Sequence, residues 1–184
     1  MNQRKNITGD AQEIWQQINT DFISGNDLHN YHVSIQHEDR NIDLDMVSSP
    51  GGSEEGGYDV TTLSAALPAH TNFSFAIHPE DFLNKIGKLF GMEDVVLGYP
   101  EFDNKVIVKT NNAHRLKRIF AATEVREVFQ SLSGYSFKIH KLPEKEGDYL
   151  ELMIQRSLIN GSELKRVFDA FCHVLDFLNK RQES

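Results

Sequence analysis

The sequence predicts an α+β fold with a mainly antiparallel sheet, on three observations. Apolar residues recur at helical spacing in the opening and closing segments, they alternate with polar ones through the middle, and the strand-like segments pair as hairpins instead of alternating with helices. The expected sheet has about six or seven strands in two hairpin-containing groups. It is packed with an N-terminal helix, a central helix, a short helix pair and a long C-terminal helix.

Each element has its own justification. Ile14, Trp15, Ile18 and Phe22 give the opening helix one apolar stripe before Ser24 to Asp27 breaks it. Tyr31 to Val47 reads as an antiparallel hairpin. Val33 and Ile35 share a face of its first arm, Ile42, Leu44 and Met46 a face of the second, and His37 to Asn41 lie between. The Gly, Ser and Glu residues of 48–57 have no means of burying themselves, so this stretch is expected to be a mobile loop or a lid. Tyr58 to Leu67 and Asn72 to His78 follow as strands, the second alternating Phe73, Phe75 and Ile77 against polar neighbours.

Pro79, Glu80 and Asp81 suit the start of a helix, whose apolar face is Phe82, Ile86, Leu89 and Phe90, ending at Gly91. After a turn at Gly98 and Pro100, Lys105 to Lys109 is a short strand. Leu116, Ile119 and Phe120, then Val125, Val128, Phe129 and Leu132, mark two short helices or one bent one. Tyr135 to Pro143 and Asp148 to Leu158 form the second hairpin. The closing helix begins near Asn160 and buries Leu164, Phe168, Phe171, Leu175 and Leu178. The chain reads as one domain over 1–184, either undivided or in two subdomains meeting near 91–100.

Composition limits the chemistry. With 39% hydrophobic residues and 12 Phe, the 184 residues can build a sizeable core. The single Cys172 has no partner for an intramolecular disulfide, and its helical setting favours a small buried thiol. Neither a long apolar run nor an apolar-centred leader occurs, which makes a cytoplasmic protein without a membrane span the expectation. The net charge of -8 is unevenly spread: residues 1–78 hold 3 basic and 11 acidic side chains, while residues 79–184 hold 16 of each. That balance disfavours nucleic acid as a partner.

His29, His32 and His37 lie beside Glu38 and Asp39, but residues three or five apart in a strand point to opposite faces, so no metal site is expected. Asp43 and Asp45 do share a face. They also alternate with Ile42, Leu44 and Met46, as a half-exposed strand requires, and a solvated polar face explains them. No GxSxG elbow, Walker lysine or GxGxxG motif is present, and Cys172 and His173 point away from each other around their helix. No catalytic residue and no cofactor is therefore assigned. Lys105, Lys109, His114, Arg115, Lys117 and Arg118 form a basic run without an acid inside it, and Lys105, Lys109, Arg115, Lys117 and Arg118 are the candidate binding residues.

In Gly98-Tyr99-Pro100-Glu101-Phe102-Asp103, Gly98 and Pro100 shape a turn, Phe102 fills apolar space below it, and Asp103 can accept from backbone amides. From about Leu28 onward the chain resembles a group of uncharacterised bacterial proteins, many of them membrane-tethered. The shared landmarks are the Tyr31 to Val47 hairpin, the Gly/Ser loop, the Phe-rich strand, the GxPxFD turn and the strand Val106 to Lys109. Members often carry Asp or Asn at the position of Tyr99 and Phe at that of Val106. The resemblance implies a fold and no assigned reaction.

The functional expectation is a non-enzymatic binding or assembly module that meets another protein through its acidic first half or its basic segment, with homo-oligomers also open to it. The alternative is a small-molecule or metal-dependent enzyme with a site beneath 51–57, using Asp43, Asp45, Glu54, Glu55 or Asp103.

Overall fold

The computed structural model describes residues 4–24, 30–49, 57–68, 72–80, 91–141 and 146–180. His29, the heart of the 48–57 loop with Glu54 and Glu55, and the predicted central helix beyond Glu80 lie outside the described residues.

In chain order the elements are β1 (Lys5–Thr8), α1 (Ala11–Ile23), β2 (Asn30–His37), β3 (Arg40–Ser49), β4 (Tyr58–Ala66), β5 (Phe75–His78), β6 (Glu93–Asp94), α2 (Pro100–Asp103), β7 (Ile107–Thr110), α3 (Ala113–Phe120), α4 (Thr123–Ser131), β8 (Tyr135–His140), β9 (Tyr149–Ile154) and α5 (Gly161–Asn179). The fold is α+β. Among the described residues the strands form one sheet of nine, in the order β1-β2-β3-β4-β9-β8-β5-β7-β6. Every pairing is antiparallel except β1 with β2.

One feature of the sheet differs from the sequence expectation. The strand count is higher because β1 and β6, four and two residues long, carry too little apolar pattern to announce themselves. The two hairpin-containing groups join into the one expected sheet where β4 pairs with β9 along Thr61↔Ile154 to Ala66↔Tyr149.

Register explains the core. Val33, Leu44, Leu63, Leu152, Phe137, Ile77 and Val108 are successive cross-strand partners, so one apolar row runs across seven strands without interruption. The neighbouring positions form the opposite face: Ser34, Asp43, Ser64, Glu151, Lys138, Ala76, Lys109 and Asp94 are likewise successive partners. A one-residue slip in any pair would exchange the two rows, and that penalty fixes the register. In β5 all four residues are buried, including Ala76 and His78, so the predicted alternation stops there.

The helices cover the apolar face. Phe171 of α5 meets Phe137 at 6.3 Å between ring centroids, Phe129 of α4 stacks on Phe137 at 4.7 Å, and Phe120 of α3 meets Phe129 at 5.6 Å. Trp15 of α1 packs edge-on against Phe168 of α5 at 5.4 Å. Caps set the helix starts: Asp10 and Glu13 form a reciprocal capping box on α1, and the Asn160 side chain accepts from the Glu163 amide on α5. Leu116 to Phe120 and Val125 to Phe129 belong to two helices, not one. Among the described residues no helix is long and apolar enough to cross a membrane.

Candidate functional site: an acidic groove beside Trp15

A cavity of about 310 Å³ opens where the start of α1, the β2–β3 turn and α5 meet. Its lining includes Ile14 and Trp15 from α1, His37, Glu38 and Arg40 from the turn, and Phe168, Asp169, Cys172, His173 and Asp176 from α5. Local geometry places each. His37 lies opposite Arg40, so the chain reverses within Glu38 and Asp39. Glu38 holds the left-handed conformation, φ 55°. That region is costly for a residue with a Cβ, by about 1–2 kcal/mol, and Gly or Asn is the usual occupant of such a turn. On α5, Asp169, Cys172, His173 and Asp176 follow three- and four-residue steps, which brings them to one side of the helix.

Arg40 is the electrostatic centre. Its guanidinium contacts Glu38 Oε2 at 2.9 Å and pairs with Asp176, and its side chain is only 14% exposed. The two carboxylates therefore hold a cation at the wall of the cavity. Nδ1 of His37 is buried there without a protein partner. Burial pushes the Cys172 thiol up to about 12, with Asp176, Asp169 and Glu38 adding to the rise against the opposing effect of Arg40. Cys172 and His173 line the same cavity, yet a thiol that stays protonated is a poor nucleophile.

A second space of about 330 Å³ is lined by Glu124, Glu127, Arg166, Asp169 and His173, so Asp169 and His173 border both. His173 Nδ1 lies 3.7 Å from Glu124 Oε1. Around the two spaces stand five carboxylates, Glu38, Glu124, Glu127, Asp169 and Asp176, against the guanidinium groups of Arg40 and Arg166 and the ammonium of Lys165, which pairs with Asp169 at 2.6 Å. Among the described residues no group of three or more His, Cys, Asp or Glu could hold a metal ion.

The other predicted residues have different placements. Lys105 donates to the Gln130 carbonyl at 2.9 Å, and Lys109 of β7 pairs with Asp94 of β6 at 2.6 Å. Arg115 lies over the Phe73 ring at 4.7 Å, and Arg118 over Phe177 at 5.4 Å. His114 and Lys117 are exposed. Burial and the nearby Arg118 lower the pKa of Arg115. The basic run is thus distributed over several structural contacts.

Asp43 and Asp45 share a face, as their spacing requires, but Arg4 spans them, at 3.3 Å from Asp43 and 2.8 Å from Asp45. His32 Nδ1 lies 2.6 Å from Asp45. His32 and His37 belong to opposite faces of β2. Asp103 accepts from the amides of Leu97, Gly98 and Tyr99 at 2.8–2.9 Å, closing the turn, and Phe102 below it is 1% exposed. Four strands separate β3, with Asp43 and Asp45, from β7, which follows Asp103, so these acids do not form one site. The groove itself escaped sequence reasoning because Trp15 and Arg40 lie more than a hundred positions from their partners on α5, and four of its five carboxylates come from the half in which acids and bases balance.

No family model matches the chain, and no curated protein matches it. Among solved structures, the crystal structure of the mycobacterial trehalose monomycolate transport factor A, TtfA, is similar over 76% of this chain and 74% of that one. The identity is 9% and the TM-score 0.38, a likeness too slight to carry a fold or a function across.

Proposed function

We propose that the protein is a binding module whose groove receives a basic segment of a partner protein. The excess of carboxylates along a groove floored by Trp15 carries this reading. An arginine or lysine side chain entering there finds more acid than base and an aromatic wall that already draws one cation, Lys165 over the Trp15 ring at 5.6 Å, the two features that favour a further one. Rim carboxylates speed and orient encounter more than they tighten the complex, which suits a reversible partner. Membership of the bacterial group that shares the GxPxFD turn belongs to this proposal as well.

Trp15 is the chain's one tryptophan and lines the groove, so its fluorescence reports occupancy directly. Adding an oligo-arginine peptide at low salt should shift its emission saturably, while oligo-glutamate should not. Raising ionic strength should weaken binding, and Glu124→Gln with Asp169→Asn should weaken it severalfold. An emission spectrum indifferent to the basic peptide at low salt would sink the proposal.

A further inference from the structure

We propose that the seam between β5 and β8 contains a bound internal water molecule, held by His78 and Ser136. These two strands share only two cross-strand pairs, Ala76↔Lys138 and Ile77↔Phe137. The next position in that antiparallel register sets His78 opposite Ser136, on the face away from Phe137. Both residues are enclosed, His78 at 0% and Ser136 at 2% exposure. His78 Nε2 and Ser136 Oγ are nevertheless both buried without a protein partner.

The hydrogen-bond roles identify what fits. His78 Nδ1 lies 2.9 Å from the Pro79 carbonyl, which can only accept, so Nδ1 carries a proton. In the neutral ring Nε2 is then a lone-pair acceptor that needs a donor, while the Ser136 hydroxyl can both give and accept. Directly opposed side chains have Cβ atoms about 4.5–5.5 Å apart, close enough for one small molecule to touch both. Ile107 lies opposite His78 and Met153 opposite Ser136, and neither offers a donor. Enclosure excludes anything much larger than water, and water supplies the missing donor and acceptor together. It takes the place of the ladder contact that ends at Ile77 and Phe137.

Two measurements on the full chain decide the matter. In a water-selective nuclear Overhauser experiment, the His78 ring proton between the two nitrogens or on the Nε2 side should show a cross-peak to a long-lived water. In urea unfolding, Ser136→Ala should lower the midpoint, because the water loses one of its holders. In a dry seam the same substitution removes an unpaired hydroxyl, and the midpoint would hold or rise. Absence of the cross-peak, or a midpoint that does not fall, overturns the proposal.

Discussion

Tyr31 and Tyr135 are both phenols kept neutral by the fold, for different reasons. Burial is the larger cause for Tyr31, and its hydrogen bond to the Asp21 carboxylate, at 2.8 Å, adds to it; for Tyr135 the cause is burial. A phenol whose pKa is raised by folding contributes stability that is complete below the ordinary value of 10.0. That stability is lost as pH rises beyond it, because the unfolded chain ionises first. The protein should therefore weaken steadily above about pH 10. The two residues then part company. Tyr31→Phe breaks a bond within the cluster of Lys5, Asp21 and Tyr31, and should cost about 1–2 kcal/mol at neutral pH. Tyr135→Phe removes a hydroxyl with no protein partner beside the Phe129 ring, so neutral stability should hold or rise and the alkaline loss should become shallower. Urea unfolding at neutral and alkaline pH checks both; a Tyr135→Phe protein clearly weaker at neutral pH would mean that the hydroxyl has a partner.

Among the elements, α5 joins most of the others: it packs on α1 through Phe168 and Trp15, on the sheet through Phe171 and Phe137, and forms one wall of the groove. Its start is set by one side chain, Asn160, which accepts from the Glu163 amide at 3.0 Å. Glu163 also grips Arg156, two residues past β9, at 3.0 Å through one guanidinium nitrogen. That hydrogen bond is the main cause holding the Glu163 carboxyl below its usual range, outweighing the opposing effect of burial. Asn160→Ala should lower stability by about 1 kcal/mol, and Asn160→Asp should restore most of it, since either oxygen can cap the amide. Thermal unfolding of the pair tests this; equal losses in both variants would put the role of Asn160 elsewhere.

At the scale of the molecule, the pairing of β4 with β9 joins the two hairpins into one sheet above a shared core that includes Leu63, Leu152 and Phe137. A common core predicts common unfolding. The fluorescence of Trp15, at the α1–α5 contact, and the far-ultraviolet circular dichroism of the whole chain should lose their native signals at one urea midpoint. Two separate midpoints would instead reveal two cooperative units, divided where the chain passes through 91–100.

Period and turn chemistry were enough to read most elements from the sequence. The stripe of α1, the hairpins β2–β3 and β8–β9, the stripe of α5 and the closure of the Gly98 turn by Asp103 are local patterns, each enforced by residues within a few positions of one another. Short edge strands escaped because Ile7 is the only apolar residue of β1 and β6 has none. The sheet order, the burial of His78 and the groove were decided by tertiary structure alone. Arg40 meets Asp176, and Trp15 meets Phe168, because strand pairing and helix packing carry distant segments together. A periodic pattern states which face of an element must be buried; what lies against that face depends on the free energy of the whole assembled core.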